Sequence, residues 1–332
     1  MYLSGSSFNN EYSTSMDLST HCKGYLPTNY GAVTTNTAVN SIMMVDADAK
    51  NYLYFFTFRT NGDKVIQNAF YRWILSSEDS IQSIKAYEKD LYVVSKRNAD
   101  PAGTKKLTVY LASLESVPYT APLLDWLTTV PTNNITYNSL TQTTTITLPH
   151  YDPNVDYVVL PSAWGTQAYT AIPITMPKTT IVQSGVTKTQ VSIAGQYNTY
   201  PVYVGRSYQM NIELSQIVPR GVGGNDPNSD VAEGVLNLKR ITFRHLNTGN
   251  YDIVISRRGR LDSPVTFYPF DLNSIISRTD ELKIDSVGEH FVKVLSYSEA
   301  CKIFIKSSYP TPCNISNIEV IGNFRIRNTS IE

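Results

Sequence analysis

Two aspartates, Asp152 and Asp156, lie four residues apart on either side of Pro153-Asn154. A pair of carboxylates can cleave a glycosidic bond, one as acid and the other as nucleophile or base, when about 5–9 Å separates them. Aspartates beside a Pro-Asn pair more commonly form an Asx-turn, in which the carboxylate accepts a hydrogen bond from nearby backbone. We therefore predict a structural role for these aspartates in a turn. The alternative hypothesis is a β-propeller glycosidase that uses both aspartates for catalysis.

Other patterns of catalytic or cofactor-binding residues are missing from the sequence. The histidines have no H-x-x-x-H or H-x-x-E-H spacing, and no serine stands in a G-x-S-x-G turn. The glycine-rich stretch 221–224 lacks the Lys and Ser/Thr with which a P-loop holds phosphates. We therefore predict that the protein is not an enzyme and needs no cofactor. The histidines are His21, His150, His245 and His290.

Metal binding is not predicted either. The segment Asp46-Ala-Asp-Ala-Lys-Asn51 is similar to the opening of a calcium loop, but Lys50 stands where a third oxygen ligand is needed. The segment instead predicts a solvated hairpin turn. The cysteines are odd in number and lack C-x-x-C spacing, which argues against zinc, redox and disulfide sites. We expect buried free thiols at Cys22, Cys301 and Cys313.

Basic residues concentrate in one part of the sequence, in Lys239-Arg240, Arg244 and the run Arg257-Arg-Gly-Arg260. Such a cluster could contact phosphates without sequence preference, although nearby Asp and Glu residues favour ion pairs at a surface or interface. Arg240 and Arg244 share one face of a strand only if no bulge lies between them. The candidate binding residues, on a channel wall or at an interface, are Arg240, Arg244, Arg257, Arg258 and Arg260.

The overall composition indicates a β-rich protein of balanced charge. The 28 Lys and Arg residues equal the 28 Asp and Glu residues, so no global attraction to nucleic acid or anionic membrane is expected. The 23 tyrosines, with many Ser, Thr and Asn residues, are typical of sheets that contact other protein. No secretory signal is readable, and the apolar stretch 52–58 is too short to span a membrane.

Short alternating strands joined by tight turns recur in the first third of the chain. Residues 41–45 and 52–58 flank a polar turn and predict a hairpin. The same pattern continues through 81–85, 91–95 and 107–111. Several short strands at roughly 10-residue spacing indicate blades similar to those of a β-propeller.

Later in the chain, one strand contains a change of phase. The apolar positions run 236, 238 and then 241, 243, which a β-bulge at Lys239-Arg240 explains. Alternation at 208–214 and 251–255 predicts two more half-buried strands. A short turn or helix is expected at 298–301, and 221–230 is expected to be the most loop-like stretch. No long amphipathic helix is predicted, so the class is all-β.

A series of motifs runs in a fixed order along nearly the whole chain. They are Tyr12-Ser-Thr-Ser-Met-Asp-Leu-Ser-Thr-His21, Gly24-Tyr-Leu-Pro27, Leu53-Tyr-Phe-Phe56, the Gln-x-Ala-aromatic-x-Arg-Trp pattern ending at Trp73, Asp90-Leu-Tyr-Val-Val-Ser-Lys-Arg97, and residues 205–215, 236–249 and 315–327. Together these motifs resemble the tail nozzle family, or tail tubular protein B, of short-tailed phages.

The resemblance implies a virion structural protein, made in the host bacterial cytoplasm, that forms a ring of six copies around the channel for genome ejection. Its partners would be its own copies, the tail adaptor protein (tail tubular protein A), the tail fibre and, in passage, double-stranded DNA. A wall that neutralises few phosphates would not retard sliding DNA, which agrees with zero net charge. The alternative function is a receptor- or glycan-binding tail protein, suggested by Tyr and Trp residues combined with Asn- and Asp-rich loops.

Members of this family are longer, so the chain would cover only their C-terminal portion. Either a separate chain carries the N-terminal part and supplies missing strands, or the sequence is a fragment. The expected fold is all-β, with incomplete β-propeller-like blades and a nozzle segment similar to a β-sandwich or barrel. A Pro- and Thr-rich stretch from 118 suggests a boundary. The predicted modules are 1–117 (propeller-like), 118–270 (β-rich nozzle) and 271–332 (C-terminal, packing back on the first).

Overall fold

The computed structural model describes residues 2–7, 10–17, 24–61, 64–114, 122–161, 169–170, 172–174, 178–199, 201–219, 234–269, 281–282 and 284–326. Within it the chain forms two compact units. Unit 1 comprises 1–118, 149–155 and 180–189, and unit 2 comprises 119–148, 156–179 and 190–332. The loop expected at 221–230, together with His21 and Cys22, lies outside the described residues. The predicted three-module division and the propeller arrangement stay predictions.

The fold class is all-β, as the sequence predicts, and none of the described sheets closes into a barrel. Helical residues in the described ranges are confined to 3₁₀ turns at Thr132–Asn134 and Ser298–Ala300. The second of these confirms the short element expected at 298–301. Strand formation follows from two-residue alternation, which places apolar side chains on one face of each sheet.

Unit 1 begins with a series of antiparallel hairpins. The strands are β1 Tyr2–Ser7, β2 Asn10–Asp17, β3 Tyr30–Asn36, β4 Ser41–Asp46, β5 Tyr52–Asn61, β6 Lys64–Ile74, β7 Ser80–Tyr87, β8 Asp90–Asn98 and β9 Lys105–Ser113. They form sheets of order β1-β2, β3-β4-β5-β6 and β7-β8-β9. The hairpins predicted at 41–58 and 81–111 are confirmed as β4-β5 and β7-β8-β9.

The core of unit 1 joins its two larger sheets. Met43 and Phe55 from the first sheet pack with Ile84 and Leu91 from the second, and all four are buried. Each such side chain contributes about 1.5–3 kcal/mol when it leaves water. The ring of Trp73 lies 4.4 Å from that of Phe55, centroid to centroid, and closes the cluster on one side.

The remaining strands belong mainly to unit 2, although β16 and β17 extend into the 180–189 segment of unit 1. They are β10 Asp125–Val130, β11 Ile135–Asn138, β12 Thr143–Thr147, β13 Tyr157–Pro161, β14 Tyr169–Thr170, β15 Ile172–Ile174, β16 Lys178–Gln183, β17 Val186–Ala194, β18 Val202–Arg206, β19 Met210–Glu213, β20 Gly234–Thr248, β21 Tyr251–Arg257, β22 Ser263–Phe267, β23 Glu281–Leu282, β24 Asp285–Tyr297, β25 Cys301–Ser307 and β26 Ile315–Ile326.

These strands form the sheets β10-β18-β13-β15, β11-β12-β17-β16, β14-β23, β19-β25-β21-β22 and β24-β20-β26. The last two share one hydrophobic core, so they pack as a β-sandwich. Tyr251, Ile253 and Ile255 of β21, predicted from their alternation, lie in this core. Facing them are Phe243 of β20 and Val292 of β24.

The predicted bulge in β20 is confirmed. The register shifts between Leu238 and Arg240 in the pairings with both β24 and β26. On β24, Leu295 next to this shift has φ 49°, in the left-handed region that non-glycine residues rarely adopt. The extra residue lets Leu238 and Ile241 both point into the core although three positions separate them.

Candidate assembly surface

Arg240 and Arg244 share the solvent side of β20. The register shift precedes Arg240 and no shift occurs between the two arginines, so the pleat turns both side chains to one face. Arg244 lies between two acids, with Nη2 3.2 Å from Glu319 Oε2 and Nε 3.9 Å from Glu289 Oε2. The guanidinium carbon of Arg240 lies 5.8 Å from the ring centre of Phe291.

The other three candidate arginines lie at and beyond the end of β21. The Nε and Nη2 groups of Arg257 both donate to the carbonyl of Val294, at 3.0 and 2.9 Å. This side chain therefore ties one sheet of the sandwich to a strand of the other. Arg258 and Arg260 are exposed in the turn that follows, where Gly259 has φ 75°. The structure thus brings Arg240 and Arg244 together and assigns Arg257 a contact with backbone.

The outer face of the β24-β20-β26 sheet is unusually apolar. Antiparallel sheets in contact with solvent normally present polar residues on that side. Here Val287 is 72% exposed, Leu295 68% and Phe291 57%. The full set of exposed large apolar residues on these three strands is Leu246, Val287, Phe291, Leu295, Tyr297 and Ile321.

Arg240, Arg244, Glu289, Lys293 and Glu319 are interspersed among these apolar residues. Several exposed apolar side chains on one sheet face mark protein contacts, and arginine with aromatic residues is enriched at such contacts. Covering Phe291 or Leu295 removes apolar area that contributes about 25 cal/mol per Å². We call the six apolar residues and these five charged residues the outer-face patch.

Sequence reasoning found the arginines of this patch and missed its apolar residues. The sequence feature that could have revealed them is a strand with apolar residues at both its odd-numbered and its even-numbered positions. Val287 and Phe291 alternate with Val292 and Val294, so β24 presents apolar side chains to the core and to solvent. A strand of this kind needs a covering on each side.

Asp152 and Asp156, the two candidate catalytic carboxylates, each lie in an ion pair of their own. Asp152 Oδ2 accepts a 2.7 Å hydrogen bond from Arg97 Nη2, with both side chains almost fully buried. Burial lowers the pKa of Arg97, but nearby Tyr110, Asp152 and Asp79 raise it by more, so the pKa lies above its ordinary value. Asp156, in the other unit, pairs at 2.8 Å with Lys178 and is largely exposed. Each carboxylate is therefore an ion-pair partner.

Asp46 forms the predicted hairpin turn. Its Oδ1 accepts backbone hydrogen bonds from Asp48 at 2.8 Å and Ala49 at 3.0 Å. These bonds fix the bend between β4 and β5, which gives the carboxylate a structural role. Within the described ranges, no group of three or more His, Cys, Asp or Glu side chains could hold a metal.

Two histidines lie in an aromatic cluster of unit 2. His245 is buried, with Nδ1 3.3 Å from the hydroxyl of Tyr251 and Nε2 3.3 Å from Asp285. The ring centre of His290 lies 6.0 Å from that of Tyr251. Burial, and then the neighbouring His245, lower the pKa of His290. Burial also raises the pKa of Tyr251, which keeps its hydroxyl protonated.

The free thiols of Cys301 and Cys313 are partly buried. Burial raises the pKa of Cys313 to about 12 and is also the main cause of a raised pKa at Cys301. Both are therefore poor nucleophiles at neutral pH. In the part of the chain that is described, no helix has the length and apolar character needed to cross a membrane.

An exposed apolar face on an antiparallel sheet is typical of proteins that form assemblies. Comparison of the sequence with known protein families identifies one family over nearly the whole chain. The family described as bacteriophage nozzle protein matches residues 5–331. The chain belongs to this family, and it is a structural protein of the virion tail.

Individual similarities are weaker than the family match. Tail tubular protein gp12 of Escherichia phage T7 is 19% identical over 320 residues, which are 95% of this chain and 39% of that protein. The chain thus spans about two-fifths of this relative. Among solved structures, an exo-β-1,3-galactanase from Phanerochaete chrysosporium with bound β-1,3-galactotriose covers 90% of this chain and 56% of its own, at 8% identity and TM-score 0.18. A similarity this low carries no argument about fold or activity.

Proposed function

We propose that this chain is a subunit of the tail nozzle, one of six copies in a ring around the channel through which the genome leaves the virion. The observation that carries the proposal is the match to the nozzle family over residues 5–331. The tail adaptor protein and the tail fibre are its proposed neighbours.

The ring needs contacts between copies, and the outer-face patch supports such contacts. Six exposed apolar residues on one sheet would contact water in a monomer. The patch also includes Arg244 between Glu289 and Glu319, a polar arrangement suited to the rim of an interface.

The proposed channel passes DNA without binding it tightly. Each phosphate neutralised by Lys or Arg strengthens binding through counterion release. The chain has equal numbers of basic and acidic residues, and Arg244 and Arg257 have partners in the protein. Arg258 and Arg260, exposed in a turn, are the candidates for transient phosphate contact.

We also propose that the protein acts without catalysis. The buried pair of Asp152 with Arg97 supports this, because a carboxylate held in that way does not deliver protons to a substrate. The family match does not favour the alternative of receptor or glycan binding.

Electron microscopy of purified virions tests the proposal, combined with mass spectrometry of the tail proteins. The expected result is this chain in six copies, in a ring on the tail axis below the adaptor. Its absence from the particle, or its location away from the axis in a peripheral trimer, would overturn the proposed function.

A further inference from the structure

The sheet β7-β8-β9 of unit 1 has one protected edge, at β7. The backbone N–H of Ala86 donates to Thr34 Oγ1 at 3.3 Å, and that of Ile81 donates to the carbonyl of Lys50 at 2.8 Å. A register shift between Ile81 and Ser83 further distorts this edge. Bulges and covering groups of this kind prevent unwanted strand pairing.

The opposite edge, at β9, has no such protection among the described residues. β9 pairs with β8 along all nine of its residues, from Asp90↔Ser113 to Asn98↔Lys105, with no register shift. It contains no proline, and its lysines, Lys105 and Lys106, lie at one end. In the described part of the chain, the neighbouring sheet β3-β4-β5-β6 has one strand more than β7-β8-β9.

Strand alternation identifies which amides of β9 point outward. The Ala86 N–H points away from β8, so Ala86 and its partner Leu91 form a non-hydrogen-bonded pair. Leu91 then bonds to the other side, to Ala112 of β9. It follows that Thr108, Tyr110 and Ala112 bond to β8. The N–H and C=O groups of the alternate residues, Leu107, Val109 and Leu111, therefore point to the other edge of β9.

The same three residues also expose aliphatic side chains. Leu107 is 66% exposed, Val109 62% and Leu111 62%. Among the residues that the structure describes, β9 therefore has backbone groups without a strand partner along its edge and an apolar row on its face. A partner β-strand with apolar residues at alternate positions fits this surface. Its backbone can pair with the edge of β9, and its side chains can cover Leu107, Val109 and Leu111.

We propose that the outer edge of β9 pairs with an edge strand of a second copy of this chain. The inference rests on the proposed function, because ring closure needs one surface of each copy to meet a different surface of the next. A strand edge provides the directional contact that such closure requires. Pairing with the neighbour would also give β7-β8-β9 the additional strand that the adjoining sheet already has.

Amide hydrogen exchange on the assembled protein tests the proposal residue by residue. The amides of Leu107, Val109 and Leu111 should be protected in the assembly and exchange rapidly in the dissociated chain. The amides of Thr108, Tyr110 and Ala112 should be protected in both, because they bond to β8, and they are the internal control. Rapid exchange of the first three in the assembly would overturn the proposal.

A variant pair gives a second test. Val109→Pro removes an outward amide and leaves the bonds to β8 in place, whereas Val109→Ala keeps the amide. Sedimentation velocity should show a loss of association of at least tenfold for the proline variant, with the alanine variant close to the parent. Equal association of both variants would overturn the β9 inference while particle imaging could still show the ring. A parent chain that stays monomeric at all concentrations would also overturn it.

Discussion

Arg97 and Asp152 are 55 residues apart in sequence and are joined by a 2.7 Å hydrogen bond, and neither side chain is more than 4% exposed. The same arginine donates to the Tyr110 hydroxyl, which in turn donates to Asp79 at 2.6 Å. The network fastens segment 149–155 to strand β8 within unit 1.

Removing one partner of the buried pair should strongly destabilise the protein. Asp152→Ala removes the carboxylate 2.7 Å from the buried Arg97 guanidinium and leaves Asp79, whose Oδ1 lies 3.9 Å from Arg97 Nε, so the cost should be about 3 kcal/mol, the lower end for breaking a buried ion pair. Asp262→Ala, the control, removes a carboxylate at an exposed loop position and should change the free energy of unfolding by no more than about 0.5 kcal/mol. Urea unfolding monitored by tyrosine and tryptophan fluorescence measures both. Equal effects of the two variants would contradict the assignment of Asp152 as a buried structural ion-pair partner.

A charge placed in the outer-face patch should block assembly without unfolding the chain. Phe291→Asp puts a carboxylate where the proposed contact excludes water, so the oligomer should dissociate. The fold should change by no more than about 0.5 kcal/mol, because Phe291 is already exposed. Leu261→Asp, at a position 93% exposed in a turn, is the matched control. Sedimentation velocity compares the two, and an unchanged oligomer in Phe291→Asp would exclude this face from the contact.

Acid should weaken the aromatic cluster of unit 2. The pKa of His290 is lowered from 6.5 in the folded protein, so the unfolded chain binds the proton more tightly. Stability is therefore complete above pH 6.5 and falls as the pH decreases below it. Uptake of one full proton would change the free energy of unfolding by about 1.4 kcal/mol per pH unit. The observed change should be much smaller, because the His290 ring is partly exposed and water screens its charge.

The measurement is the free energy of unfolding at several values between pH 5 and pH 8. His290→Gln should reduce the decline at acid pH and leave the value near pH 8 within about 1 kcal/mol. An identical decline in parent and variant would show that other groups cause it.

The thiol of Cys313 should react slowly in the folded protein. Its pKa of about 12, raised by burial, leaves almost no thiolate at pH 8. Alkylation with iodoacetamide, followed by peptide mass spectrometry, should show Cys313 modified at least tenfold more slowly in buffer than in urea. Fast modification in buffer would mean that solvent reaches this thiol in the folded chain.

Much of the local fold can be predicted from the sequence. Alternation with a two-residue period predicts the hairpins β4-β5 and β7-β8-β9, and the phase change at Lys239-Arg240 predicts the bulge in β20. These features depend on interactions between residues that are close in sequence, so the local pattern is enough to predict them. The turn at Asp46 could be predicted for the same reason.

The pairing of distant groups could not be predicted in this way. Proximity in sequence suggests that Asp152 and Asp156 act together, whereas folding places Asp152 against Arg97 and Asp156 against Lys178. Proximity also suggests one cluster of five arginines, but the sandwich directs Arg257 to the Val294 carbonyl. Long-range pairing depends on how the sheets pack, which no local pattern encodes.

The sequence by itself therefore determined that the chain is β-rich, where its first hairpins and its bulge lie, and that its motifs follow the order of the nozzle family. Only the tertiary structure decided which apolar residues stay exposed. Val292 and Phe291 are neighbours on one strand and both are apolar, yet one is buried and the other is 57% exposed. The difference arises because the second sheet of the sandwich covers one face of β24, while no described part of the chain covers the other.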